Sequence, residues 1–426
     1  MNNAKKDGKI VGVVDAYRTG QYLALELKKN GYQCINIKSS HNLPKFLLSS
    51  FDKEIFLECI DYENNLPELI FQLKSRDVKF ILAGTETGVE LADQLSFHLE
   101  LKGNDPKTTE LRRNKYLMHM ALAHAGLKIP SQFRCNDADG IVEWVNNSPN
   151  MRWPVVIKPL NSFATDGLSF CNDVIEIKEA VKRQLGKRNI IGNITNTEML
   201  AQEYIHGIEY VVNTVSWNGV HAVTDMWKYR KRPVNGAGAV YDWQELIEIY
   251  GDIQDEIKNY IFNSLDAIGL KYGPGHSEVM YTEKGPILIE IGARAQGGID
   301  PKVLTECTGT NQIEITVDTY SKATIDSCFD KLRKNLSKNA VWMNFIVNED
   351  SILSDAESFL DRIKGFESFY SVSTKMKNGD LLKKTIDLET SPGAIFLVHS
   401  DQKVIERDYL AIRQLELEYF KQKNYS

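Results

Sequence analysis

The chain has 426 residues, 42% of them hydrophobic and 25% charged, too many for one small core and ample for two or three. Its net charge of −6 arises from interspersed acids and bases, with no Lys/Arg run long enough to follow a phosphate backbone, so nucleic acid is not an expected partner. The longest apolar runs, such as 340–347, fall well short of the ~20 residues that span a bilayer, and six cysteines without C-x-x-C spacing indicate neither a disulfide frame nor a zinc site.

Residues 1–8 lead directly into a strand-like run and carry no signal-peptide core, so no membrane association is expected and the cytoplasm is the expected location. From Lys9 to about Leu101, β-rich runs alternate with helical segments: Ile10–Val14, an amphipathic stretch from Gln21 to Lys29, Cys34–Ile37, then Ile55–Ile60 and Phe80–Ala83. Such alternation predicts a parallel sheet with helices on its faces, whose ligands sit beyond the carboxyl ends of the strands. Those ends carry Asp15-Ala16-Tyr17-Arg18-Thr19-Gly20 and Gly84-Thr85-Glu86-Thr87-Gly88. Neither is G-x-G-x-x-G, so a dinucleotide is not supported. The same small polar residues serve equally as helix caps or as substrate contacts.

Arg112-Arg113-Asn114-Lys115 opens a helical pattern from Tyr116 to Ala125, stopped by Gly126 and Pro130. Basic residues at a helix start work against its dipole, which suggests either an anion met there or a solvated turn. Val155-Val156-Ile157-Lys158-Pro159 reads as a strand ending in a lysine, and a buried Lys158 ammonium needs an anion. The following loop, through Ser162, Thr165 and Gly167, is rich in small and hydroxylated residues that can close backbone N–H groups over phosphates. It is not a Walker A motif, because no Gly-Lys-Ser/Thr follows. Further on, two strand-like runs flank Tyr204-Ile205-His206-Gly207, with Glu203 before and Glu209 after. Such a connection suits an adenine held by backbone groups and a ribose held by a carboxylate; the alternative is a bend with two exposed acids. Lys228–Gly238 is basic and then glycine-rich, a solvated edge or a mobile loop facing anions.

A helix from Asp252 to Ile268 leads to two β-rich runs, Gly275–Tyr281 and Ile287–Ile291, around a turn containing Lys284, Gly285 and Pro286. Folded about Lys284, this hairpin brings Glu278 opposite Glu290. Like charges facing each other across a ladder are destabilising, so the pair suggests a hard cation such as Mg²⁺, with Mn²⁺ as substitute, held together with nucleotide phosphates. The competing reading is a register shift that turns one Glu to solvent. Arg294 and Gly297-Gly298 beside it are the fixed cation and bare N–H groups that stabilise developing negative charge. His276, two residues before Glu278, shares its strand face and is a candidate to orient an amine or take its proton, or else a core imidazole. Residues 301–308 and 311–322 read as scaffold, and 340–426 as alternating short strands and helices.

The order Lys115, Lys158 with its loop, Glu203 to Glu209, then Glu278, Glu290 and Arg294 resembles the ATP-grasp superfamily of carboxylate–amine ligases over nearly the whole chain. Ala83-Gly84-Thr85-Glu86-Thr87-Gly88, Arg113-Asn114-Lys115, Lys231-Arg232-Pro233-Val234-Asn235-Gly236 and Glu290-Ile291-Gly292-Ala293-Arg294 look most like the L-amino acid ligases that make dipeptides. The resemblance implies an α/β ATP-grasp fold: an N-terminal parallel-sheet domain at 1–115, a small lid at 116–200, and a catalytic domain with a mixed sheet at 201–426. It implies ATP and Mg²⁺ as cofactors, amino acids as substrates, and phosphate contacts from Lys115 and Lys158 beneath the loop Ser162–Gly167. Gln202, Glu203, Tyr204 and Ile205 would hold the adenine, Glu209 the ribose, Glu278 and Glu290 the metal, and Arg294 the substrate carboxylate. Alternatives are an ATP-grasp ligase for another small carboxylate or amine, or a silent nucleotide-binding regulator. Two departures stand out: Gly292 occupies a position where many superfamily members carry Asn, and Phe163-Ala164 replaces smaller loop residues including a glycine. A homodimer is the commonest assembly for a soluble enzyme.

Overall fold

A computed structural model describes residues 8–48, 51–162, 166–189, 194–234, 237–332, 335–387 and 390–422. The first sheet is built from β1 (Ile10–Val14), β2 (Gln33–Lys38), β3 (Glu58–Asp61) and β4 (Ile81–Ala83), in the order β3-β2-β1-β4 and parallel throughout. Val11, Val13 and Val14 of β1 are fully buried, as a strand covered on both faces requires. β3 begins later than its sequence pattern suggests, because Asp52 caps a 3₁₀ turn, Lys53–Ile55, by accepting from the Glu54 N–H.

The second sheet comprises β5 (Gln132–Cys135), β6 (Val155–Pro159), β7 (Ser169–Cys171) and β8 (Met199–Glu203), in the order β5-β8-β6-β7. Helices Ala138–Asn147 and Val174–Gln184, capped by Asp137 and Asp173, seal one face through Ile141, Ile157, Ile177, Ala180 and Met199.

The largest sheet has eight strands: β9 (Ile208–Trp217), β10 (Val220–Val234), β11 (Ala237–Ile247), β12 (Gly273–Thr282), β13 (Gly285–Gly292), β14 (Asn339–Asn344), and, after β15 (Ser351–Leu353), β16 (Phe369–Thr374) and β18 (Gly393–His399). The short strands β15, β17 (Leu381–Leu382) and β19 (Phe420–Gln422) form a separate three-stranded sheet. A mixed sheet was expected after residue 201, but every pairing in the large sheet is antiparallel. Its strands are joined as hairpins or by returns that reverse direction, so no crossover imposes a parallel pair. Of the basic segment 228–238, read as an edge or loop, residues 228–234 instead continue β10 and residues 237–238 open β11.

Helices Lys115–His124 and Asp252–Ala267 pack beneath the β12–β13 hairpin: Met118, Leu122, Ile257, Ile261 and Leu265 meet Tyr210, Val212, Val279, Leu288 and Ile291. This apolar layer fixes which residues of β9, β12 and β13 turn to the opposite face. Helices Ala356–Lys364 and Gln402–Tyr419 complete a further core around Phe345, Phe359, Leu397, Ile405 and Ile412. No described helix is long and apolar enough to cross a membrane.

Candidate active site

β12 and β13 join through the two residues Glu283 and Lys284, between the paired Thr282 and Gly285, with Gly285 at φ +97°. That register alone would set Glu278 opposite Ile289. A bulge between the Glu278 and Val279 pairings leaves Ile289 as the extra residue, and Glu278 then pairs with Glu290. The bulge also reverses the facing of β13, so Leu288 points into the core while Glu290 faces the site. Both glutamates are largely buried, with side chains 20% and 21% exposed. Burial pushes the Glu278 carboxyl up, but the His276 ring beside it, with Lys231 and Arg294, holds it down at about 2.

The three basic residues opening helix Lys115–His124 each meet a carboxylate from a distant segment. Arg112 pairs with Asp93 at 2.7 Å and Arg113 with Glu86 at 3.3 Å. Lys115 pairs with Glu290 at 2.8 Å, and its ammonium also donates to the Ser162 carbonyl at 2.5 Å. The Asn114 side chain satisfies the Tyr116 and Leu117 N–H groups, so the helix start is capped despite its charge. Lys158, at the end of β6, is 7% exposed, and its ammonium has no hydrogen bond or ion pair to another described residue. Burial depresses its ammonium from 10.5 to about 8; Lys115 adds to this, while Glu290 and Glu278 oppose it. Ser162 Oγ donates to the Asp166 carboxylate at 2.9 Å, and Gly167 sits at φ +71°, where an added Cβ would strike Pro159. Thr165 lies outside the described residues.

At the connection between β8 and β9, the Glu203 carboxylate accepts the Ser131 N–H at 2.9 Å. Gln202 donates to Gln132 and to His119 Nδ1. His119 Nε2 lies 3.0 Å from the Leu288 carbonyl, so the proton sits on Nε2 and the ring ties the hairpin to the second sheet. Burial, with the charge of Lys158, lowers His119 to about 4. The Tyr204 ring packs edge-on against His206 and Phe170, and Ile205 lies between Tyr204 and His206 in the connection. Glu209 is buried, pairs with Lys231 at 2.5 Å, and its Oε1 has no partner among the described residues. Burial raises its carboxyl against the pull of Lys231.

His276 Nδ1 bonds Asn213 Oδ1 at 3.0 Å, and its Nε2 lies 3.6 Å from Glu278. The Asn213 amide in turn donates to Asp225 at 2.6 Å and to Gln296 at 2.5 Å. His276 is thus both on the glutamate face and hydrogen-bonded into a buried polar row.

Beyond β13, Arg294 pairs with Glu86 at 3.3 Å, and the Gly298 N–H donates to Thr19 Oγ1 at 3.1 Å. Gly297 makes no such contact, and an added Cβ there would meet nothing within 4 Å. Loops at the carboxyl ends of β1 and β4 thereby close one end of the site. Among the described residues, Lys115, Lys158, His276, Glu278, Glu290 and Arg294 converge on the space between the second and largest sheets. The side chains of Gln202 and Glu203 are engaged with neighbouring chain at its edge. Glu86 was read only as part of the segment Gly84–Gly88, and Asn213, Asp225 and Gln296 were not singled out from sequence. The only signal for Asn213 is a polar residue in the strand pattern Tyr210-Val211-Val212-Asn213. The donor set Glu278 and Glu290, both oxygen ligands facing each other, fits a hard divalent cation.

Residues 151–302 match the ATP-grasp domain family. Over 420 residues, covering 96% of each chain, the sequence is 30% identical to dapdiamide A synthase of Enterobacter agglomerans. In fold it is similar to an L-amino acid ligase from Bacillus licheniformis, with a TM-score of 0.76, 18% identity and coverage of 96% and 98% of the two chains. It is also similar to N5-carboxyaminoimidazole synthetase from Staphylococcus aureus complexed with ADP, with a TM-score of 0.68, 16% identity and coverage of 97% and 98%. The chain belongs to the ATP-grasp family.

Proposed function

We propose that the protein is an ATP-dependent ligase that joins two L-amino acids through an acyl phosphate, releasing ADP and phosphate. The observation that carries the reading is the buried Lys158, whose ammonium has no partner among the described residues and is set among Lys115 and the facing pair Glu278 and Glu290. A buried cation without an anion is costly, and a triphosphate supplies the anion. Similarity to a synthase of dapdiamide A and to an L-amino acid ligase supports amide formation over the other chemistries of the family.

In this reading Lys115 and Lys158 contact the phosphates under the loop containing Ser162, Thr165 and Gly167. Gln202, Glu203, Tyr204 and Ile205 bound the adenine, and the free oxygen of Glu209 accepts from the ribose. Glu278 and Glu290 hold Mg²⁺, which supplies neutralisation of charge on the transferring phosphoryl group. Arg294 holds the carboxylate of the first amino acid, so that one of its oxygens attacks the γ-phosphorus and the ADP oxygen leaves. The amine of the second amino acid then attacks the carbonyl carbon, and phosphate leaves as the C–N bond forms. Arg294 and the N–H of Gly297 stabilise the oxyanion; the Gly298 N–H contributes once released from Thr19. His276, with Nδ1 committed to Asn213, presents Nε2 to orient the amine or accept its proton. The three sequence divisions at 1–115, 116–200 and 201–426 are then a substrate-closing body, a lid and a catalytic body.

The test is release of ADP and phosphate from ATP and Mg²⁺ across the twenty amino acids, singly and in pairs, with mass spectrometry of each active mixture. A pair-dependent product lighter than its two parts by one water supports the reading. ATP binding without turnover in any mixture moves the weight to another substrate class or to a nucleotide-binding regulator.

A further inference from the structure

Among the described residues of the proposed machinery, Arg294 alone is paired with a carboxylate from the first sheet's loops. Glu86 lies just past β4, in Gly84-Thr85-Glu86-Thr87-Gly88. One of its oxygens is 3.3 Å from Arg113 Nε and the other 3.3 Å from Arg294 Nε. Arg113 Nη1 also donates to the Glu86 carbonyl at 2.7 Å, which anchors backbone and side chain together. Arg294 Nη1 donates to the Ala295 carbonyl at 3.1 Å. Nε is thus ion-paired and Nη1 hydrogen-bonded, while Nη2, with no hydrogen-bond partner among the described residues, is the edge available to a substrate carboxylate. All three side chains are largely buried, at 6%, 12% and 13% exposure for Arg113, Glu86 and Arg294, so the arrangement is shielded from the solvent screening that weakens surface pairs.

Gly292 makes room for this arrangement. A Cβ there would lie 3.1 Å from Glu86 Oε2, 3.2 Å from Arg294 Cζ and 3.3 Å from Arg294 Nε. These approaches are closer than most Cβ contacts, so the neighbours must give by a few tenths of an ångström, and they fall on both members of the pair. Gly292 ends β13 opposite His276, with no positive φ, so its backbone accepts alanine and only the neighbouring pair has to move.

We propose that Glu86 and Gly292 are positioning residues that together set the direction of the Arg294 guanidinium, Glu86 by charge and Gly292 by leaving its seat open. The proposal rests on the reading of Arg294 as the substrate-carboxylate residue. It links a loop of the first sheet to the end of the metal hairpin, so that the acid to be activated meets an arginine already aimed.

The test uses the full-length protein with Glu86→Gln, Glu86→Ala, Gly292→Ala and Arg294→Ala, and two readouts. The first needs no substrate: the rate at which phenylglyoxal modifies Arg294, followed by peptide mass spectrometry with the exposed Arg134 as internal reference. Release of the guanidinium is expected to raise that rate at least fivefold in Glu86→Ala, less in Glu86→Gln, and detectably in Gly292→Ala. The second is the KM for the carboxyl-donating amino acid found in the pairwise screen. It is expected to rise at least tenfold in Glu86→Ala, with partial recovery in Glu86→Gln, while affinity for ADP with Mg²⁺ stays within twofold. Unchanged Arg294 reactivity in Glu86→Gln and Gly292→Ala, both conservative enough to fold, overturns the proposal. So does a lowered melting temperature with wild-type KM. If Arg294→Ala itself leaves that KM unchanged, the assigned role of Arg294 fails instead.

Discussion

Replacing Lys158 with methionine is expected to make the nucleotide-free protein more stable and the nucleotide complex weaker. Burial holds the Lys158 ammonium at about 8 instead of 10.5. A tenfold change in a proton equilibrium is worth about 1.4 kcal/mol, so keeping this group charged in the fold costs about 3 kcal/mol. Below pH 8 the lysine is charged in both folded and unfolded chains and the full cost is present. Between pH 8 and 10.5 the folded chain gives up the proton while the unfolded chain keeps it, so stability recovers as pH rises. Methionine matches the length of the stem and removes the charge. With an unfolding entropy of roughly 2 cal/mol/K per residue, about 3 kcal/mol raises the melting temperature of a chain this long by about 3 °C if it melts as one unit. Loss of a charge-assisted contact to phosphate, about 1.5–3 kcal/mol, weakens nucleotide binding roughly 10- to 100-fold. Scanning fluorimetry at pH 7.5 and 9.5, with and without ADP and Mg²⁺, reads both effects. A variant that is less stable than wild type at pH 7.5, or that binds ADP as well, refutes the assignment of Lys158 as a buried cation awaiting phosphate.

Glu290→Gln keeps the shape of the hairpin but halves the charge of the facing pair. ADP formation is expected to fall at least ~100-fold, the loss of several kcal/mol of charge stabilisation, with an unchanged circular-dichroism spectrum; substantial turnover would refute the metal assignment. His119 stays neutral in the fold down to about 4 against 6.5 unfolded, so it draws stability away as pH falls from 6.5 towards 4 and has no effect above that window. His119→Gln is therefore expected to flatten urea-unfolding stability across pH 4.5–6.5 relative to wild type, although it loses about 1–3 kcal/mol at pH 7.5 through its hydrogen bonds. Asp408, buried in the C-terminal part, accepts from Ser368 N at 2.9 Å and Ser368 Oγ at 2.8 Å. Asp408→Ala is expected to cost about 2–3 kcal/mol in urea unfolding and to leave ADP affinity unchanged, which separates stability from site effects.

The parallel first sheet was legible in the sequence because β1 and β2 carry apolar runs separated by helical periodicity. The antiparallel character of the large sheet was not, since it depends on which hairpins stack, a non-local matter. The pairing of Glu278 with Glu290 was reached by centring the turn on Lys284. The structure reaches it differently, through a two-residue turn at Glu283-Lys284 and a bulge at Ile289. A bulge has no fixed local signature, so counting outward from a turn cannot by itself decide register. The anions met by Arg112, Arg113 and Lys115 were expected only in kind: that they are Asp93, Glu86 and Glu290 follows from the packing of helix Lys115–His124 beneath the hairpin. The row His276, Asn213, Asp225 and Gln296 was invisible because three strands and a loop separated in sequence contribute one residue each. Charge across 228–238 suggested a solvated edge or a loop, but Lys231 turns towards buried Glu209 and the ring of Tyr241.

Under the proposed mechanism a carboxylate oxygen is handed to phosphate before the C–N bond forms. The measurement that addresses it most directly uses the carboxyl-donating amino acid labelled with ¹⁸O in both carboxylate oxygens, turned over with ATP, Mg²⁺ and its partner amine. One ¹⁸O in each phosphate released, one retained in the new amide and ADP as the nucleotide product is the expected result. Unlabelled phosphate, or AMP with pyrophosphate as products, would contradict the account.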